Sequence, residues 1–163
     1  MSRPLAVRHT AFASEVMKRN SRRIRPTMVA VAARQVHNIP AGDDIITKVY
    51  SAFADLKAGS RDDELFDRLS AHLNTVMVRA EASDELCLAP LHAAADALRR
   101  CDAIRGRHGR YGFDGPGLQA MAAGLQVWEE IARNSSPRQM FDAFIESLAR
   151  IRRQVAAEEG ITQ

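Results

Sequence analysis

No stretch of this sequence approaches the roughly 18 uncharged apolar residues that a membrane-spanning helix requires. The best candidate, residues 115–128, is shorter and is interrupted by glycine and glutamine. A protein with no membrane span is therefore expected. The early residues also lack an unbroken apolar stretch, because Arg8, His9 and Glu15 interrupt it. A secretory leader is not expected on that ground, and a cytoplasmic location is. Aromatic residues make up only 6% of the chain, so Ala, Leu, Ile, Val and Met must build the core. Cysteine is scarce as well, with Cys87 and Cys101 the two present. On one helix their separation of fourteen residues corresponds to about 21 Å at roughly 1.5 Å per residue, which excludes a disulfide between them. Reduced, buried thiols are the expectation.

Motifs that carry chemistry are missing too. His9, His37, His72, His92 and His108 are scattered, and no two lie four apart on a helix beside a carboxylate, so no metal site is expected. The serines lack a nucleophile-elbow context, and neither cysteine has a local catalytic signature. The adjacent carboxylates Asp43 with Asp44, Asp62 with Asp63 and Glu129 with Glu130 would diverge by about 100° on a helix. Helix starts explain the first two pairs. No cofactor and no catalytic residue is assigned, and a non-enzymatic protein is expected. One enzymatic alternative stays open: a phosphate-handling or RNA-cleaving protein in which Arg107 and His108 act on a bound backbone.

The chain does have helix periodicity and helix punctuation. Apolar residues recur three and four apart, alternating strand patterns are nearly absent, and ordinary apolar and charged fractions of 46% and 26% support a globular fold. The expectation is an all-α bundle of about six to seven helices. The first spans about residues 4–19, with Leu5, Phe12 and Val16 on one face. A turn over 20–26 follows, then a second helix to about His37, where the run at Met28, Val29 and Val31, with its two β-branched valines, also suits a strand. The third covers about 43–58, with Ile45 or Ile46, Val49, Phe53 and Leu56 inward. The fourth begins after Gly59, with Ser60 as its cap and Asp62, Asp63 and Glu64 in the first turn; Leu65, Leu69, Leu73 and Val76 face inward. The fifth runs from Pro90 to about Arg105, burying Leu91, Ala94, Leu98 and Cys101. The sixth opens on Asp114 as cap and Pro116 in the first turn, with Leu118, Met121, Leu125 and Trp128 inward. The seventh opens on Ser136 and Pro137 and carries Phe141, Phe144, Leu148, Ile151 and Val155. The stripes of the last two helices read as an antiparallel C-terminal hairpin. The expected division is a basic, more loosely attached helical segment over residues 1–40, the bundle over 41–159, and a frayed tail over 160–163.

Charge is distributed unevenly within a formal net charge of +3. Residues 1–40 hold eight Lys and Arg against Glu15, residues 41–98 five against eleven acids, residues 99–113 five Arg against Asp102, and residues 114–163 five against seven acids. Two basic zones result, one at Lys18, Arg19, Arg22, Arg23 and Arg25, the other at Arg99, Arg100, Arg105, Arg107 and Arg110. Converging on one face, they would attract phosphate backbones through counterion release and forked guanidinium donors. Clusters of this kind also arise at helix C-termini and pair with carboxylates of the same chain.

Residues 105–117 hold five of the nine glycines. Arginine supplies charge there, glycine lets backbone amides approach a ligand, and Tyr111 offers a ring on which a base can stack. The alternative is a connector, with glycines closing one helix, Tyr111 and Phe113 plugging the end of the bundle, and Asp114 capping the next helix. The segment lacks a P-loop's lysine and spacing, which rejects a nucleotide hydrolase.

The first functional expectation is a regulatory or accessory protein of bacterial type that binds DNA or RNA through Arg22, Arg23, Arg25, Arg105, Arg107, Arg110 and Tyr111. The helices flanking 20–26 suggest a helix-turn-helix, but that seven-residue turn exceeds the usual three or four. The second is a helical adaptor or inhibitor with a protein partner, homodimeric through its C-terminal helices.

Overall fold

The computed structural model describes residues 43–83 and 88–160, all helix and connecting turn. The first two expected helices, the basic segment they form and the tail beyond residue 160 lie outside the described residues. Five helices account for the rest: α1 Asp43–Lys57, α2 Asp63–Glu81, α3 Leu88–His108, α4 Gly115–Asn134 and α5 Pro137–Gly160. They correspond to the third through seventh helices expected from periodicity. None is long and apolar enough to cross a membrane.

The apolar stripes account for the packing. α1 buries Ile46, Val49, Ala52 and Leu56, and α2 buries Phe66, Leu69, Leu73, Val76 and Ala80. From α3 come Leu91, Ala94, Ala97, Leu98 and Cys101; from α4, Met121, Leu125 and Trp128. These residues make one continuous core, joined by Tyr111 from the α3–α4 loop. α2 is the central element and touches each of the other four helices.

The closest pairing is between α3 and α4. Gly124 explains how near they come, since a Cβ at that position would collide with Ala94 Cβ and lie 3.1 Å from the Pro90 carbonyl oxygen. The short loop between these two helices therefore closes a true antiparallel hairpin.

The expected C-terminal hairpin of α4 with α5 does not form. α5 seats on α2, and no comparable packing joins it to α4. An ion pair from Arg150 to Glu81, with Glu146 also accepting from Arg150 and Arg153, holds that seat. The apolar stripe of α5 was assigned to the core by its spacing, but only its small residues Ala143 and Ser147 are buried. Phe144 is half-buried and stands outside the core. Periodicity identified an apolar face here but gave no information on which neighbour would cover it.

Two capping details refine the expectations. Asp62, not Ser60, caps α2: its Oδ1 accepts from the Glu64 amide at 2.8 Å, while Ser60 Oγ accepts from the Asp62 amide at 3.1 Å. Asp114 caps α4 as expected, accepting from the Gly117 amide at 2.6 Å. Across the bundle, Arg133 bridges Glu129 at 2.9 Å and Asp43 at 3.0 Å, and Tyr50 Oη donates to Glu129 at 2.9 Å. This network ties the start of α1 to the end of α4. It holds the Glu129 carboxyl below its ordinary range, chiefly through the hydrogen bond from Arg133, while burial and the Glu129 contact push the Tyr50 phenol up.

Candidate nucleic-acid interface

The site residues named from sequence fall into three groups. Arg22, Arg23 and Arg25 lie outside the described residues, so their convergence with the second basic zone has no geometry here. Tyr111 is buried, and Arg105 is half-buried and paired with Asp63. Arg107 and Arg110 are exposed.

Tyr111 was expected to offer its ring to a base. It is 1% exposed instead, stacked on Phe66 with centroids 4.9 Å apart and planes within 6°. Its hydroxyl donates to Asp63 Oδ1 at 2.7 Å. A ring enclosed in this way is not available to a nucleotide, and the connector reading describes it: Tyr111 plugs the end of the bundle, with Phe113 half-buried beside Phe53 at 5.4 Å. The position of an aromatic in a glycine-rich loop does not reveal its direction, because glycine allows the backbone to turn either way.

Arg105 takes part in the same plug. Its guanidinium lies 3.6 Å from Asp63 and 5.7 Å from the centre of the Tyr111 ring. Farther back on α3, Arg99 pairs with Asp96 one turn earlier, and Arg100 reaches Asp114 Oδ2 at 3.2 Å, steadying the carboxylate that caps α4. Burial together with neighbouring Arg100 lowers the affinity of the Arg99 guanidinium for its proton. Three of the five arginines of this zone are therefore balanced by carboxylates of the chain itself.

The remaining two acquire neighbours that charge counting along the chain did not anticipate. The Tyr111 amide donates to the Ser60 carbonyl at 2.9 Å, which lays the α3–α4 loop beside the α1–α2 turn. Arg110 then runs over Gly59, its Cδ 3.6 Å from where a Cβ would stand. Lys57 and Arg61 flank that glycine in sequence, and both are exposed. One end of the bundle thus gathers Lys57, Arg61, Arg107 and Arg110, none in an ion pair among the described residues. Of the acids near them in sequence, Asp62 accepts from the Glu64 amide and Asp63 from Tyr111 and Arg105, while Asp55 and Glu64 are exposed. Lys57 and Arg61 sit in the net acidic segment 41–98, so a linear charge sum conceals them.

No protein family, curated protein or solved structure matches this chain.

Two other titratable groups, His72 and Cys101, are packed into the bundle. His72 packs edge-on to Trp128 at 5.8 Å, and burial, assisted by Arg68, lowers its pKa to about 4. Cys101 is a free, buried thiol whose pKa burial raises to about 11, which leaves it protonated and unreactive at neutral pH. Cys87 lies outside the described residues. Among the described residues no three His, Cys, Asp or Glu side chains are grouped to hold a metal. His108 is exposed in the last turn of α3, and no described side chain orients it for acid-base work.

Proposed function

We propose that the protein is a non-enzymatic, nucleic-acid-associated accessory or regulatory protein that binds phosphate backbone through the basic end of its bundle. The observation that carries this reading is the Ser60–Tyr111 backbone hydrogen bond, which brings the exposed Arg107 and Arg110 to the same end as Lys57 and Arg61. Four cations without internal carboxylate partners attract a phosphate chain by displacing its condensed counterions, and two of them are forked guanidinium donors. Arg22, Arg23 and Arg25 add to this surface in the proposal. Tyr111 supports it from behind without touching the ligand, and Arg105, paired with Asp63 but one-third exposed, lies at its edge. Backbone recognition of this kind carries little sequence preference.

The test is fluorescence anisotropy with a labelled random-sequence oligonucleotide of single- or double-stranded DNA or RNA. Binding should weaken steeply between about 50 and 200 mM salt. Arg107→Ala with Arg110→Ala should lower the slope of log affinity against log salt by about 2 and leave the melting temperature unchanged. No binding by any of the oligonucleotides at about 50 mM salt refutes the proposal.

A further inference from the structure

We infer that the basic end of the bundle takes a double-stranded nucleic acid in preference to a single strand. The inference rests on the phosphate-binding reading above and adds the class of its ligand. The positions of the aromatic rings carry it, together with the way Arg110 is held. The chain has six Phe, two Tyr and one Trp, and all but Phe12 are among the described residues. Four of these rings stand at the basic end, and they are turned to one another. Tyr111 lies face to face with Phe66, the two at 1% and 0% exposure, and Phe113 meets Phe53 edge-on with both half-buried. Trp128 is buried, and Tyr50 is half-buried and bonded to Glu129. Phe141 and Phe144 lie on α5 between Ser135 and Arg150, whose side chains meet Arg79 and Glu81 at the opposite end of α2. Among the described residues, then, no exposed ring stands beside Lys57, Arg61, Arg107 and Arg110.

A single strand is a flexible chain that its protein must order, and proteins that hold one offset that cost by stacking its bases on open rings. A duplex keeps its bases inside, is stiff before it binds, and presents about one charge per 1.7 Å of its axis. Cations without an open ring therefore favour the duplex. Their placement points the same way. Gly59 has a φ of +92°, and the Arg110 side chain lies across it, with Cδ and Nη1 3.6 and 3.8 Å from where a Cβ would stand. The Ser60–Tyr111 bond fixes that turn to the loop carrying Arg110, and Arg107 sits in the last turn of α3. The N-termini of α2 and α4 reach the same end but are occupied by their own caps, Asp62 and Asp114, so the cations alone are left to hold phosphate. A preset array of this kind matches a ligand whose phosphates are themselves preset. Duplex DNA and duplex RNA share that double row of phosphates.

The experiment titrates the full chain against four labelled probes at about 50 mM salt. Two are mixed-sequence duplexes of DNA and of RNA, about 20 base pairs long, and two are strands of the same length, oligo-dT and oligo-rU, which do not pair with themselves. The tighter-bound duplex should exceed both strands by at least about tenfold in affinity, and the gap between the two duplexes tells which source of paired phosphates fits better. On that duplex, Arg107→Ala with Arg110→Ala should lower the slope of log affinity against log salt by about 0.9 per cation removed. Phe113→Leu and Phe12→Leu, which keep apolar bulk and remove a ring, should leave the affinity for the strands unchanged. A strand bound as tightly as the better duplex overturns the inference and leaves the phosphate reading standing. A severalfold loss confined to the strands in either Phe variant does the same, because it reveals a stacking ring. Failure of all four probes to bind refutes the phosphate reading itself, and this inference with it.

Discussion

The Tyr111 phenol and the Asp63 carboxylate, 48 positions apart in sequence, meet at 2.7 Å and close the end of the bundle between α2 and the α3–α4 loop. The ring below that bond is stacked on Phe66, and the Arg105 guanidinium lies 5.7 Å from its centre, so one residue carries apolar and polar contacts together.

Tyr111→Phe keeps the stack and removes the hydrogen bond to a charged acceptor, with an expected cost of about 1 to 2 kcal/mol in urea unfolding. Tyr111→Ala removes both and should cost about 3 to 5 kcal/mol. A Tyr111→Ala loss below about 1 kcal/mol would show that the ring is not the plug described here.

Gly124 is where α3 and α4 come closest. Gly124→Ala should destabilise by about 1 to 3 kcal/mol, because the new methyl meets Ala94 and the Pro90 carbonyl. Ala94→Gly in the same chain should restore part of the loss by opening the space opposite. Additive costs in the double variant would contradict the contact.

His72 gives the fold a pH dependence with a definite sign. Its folded pKa of about 4 lies below the ordinary 6.5, so the unfolded chain binds the proton first. Its contribution is fully present above pH 6.5, falls as the pH drops toward 4, and is gone below that. Between about pH 8 and pH 5 the loss amounts to about 2 kcal/mol. Chemical denaturation at the two pH values should show that loss in the native protein and much less of it in His72→Leu; equal losses would exclude His72 as the source.

The α2 cap makes a smaller and sharper case. Asp62→Ala should cost about 1 kcal/mol, as typical cap deletions do, and more than Ser60→Ala. The reverse order would return the capping role to Ser60.

Much of the described fold was legible beforehand because helix formation is governed by local spacing. Leu91, Ala94, Leu98 and Cys101, for example, lie one turn apart and all are buried, and Asp114 occupies its capping position before Pro116. The candidate site was less legible. Arg107 and Arg110 stood out from the glycines around them, whereas Lys57 and Arg61 join them only through the Ser60–Tyr111 bond between distant turns. Tyr111 is conspicuous among the glycines, but the direction of its ring depends on Phe66 and Asp63, which lie more than 40 residues away.

By itself the sequence determined the helical class, the boundaries of the five described helices to within a few residues, and which face of each is apolar, since these depend on side chains three and four apart. Only the tertiary structure decided that α5 lies on α2 instead of beside α4, that Asp114 and Asp63 neutralise Arg100 and Arg105, and that the tyrosine ring points inward. An apolar stripe or a cation favours any complementary surface within reach, and the choice among them belongs to the packing of the whole chain.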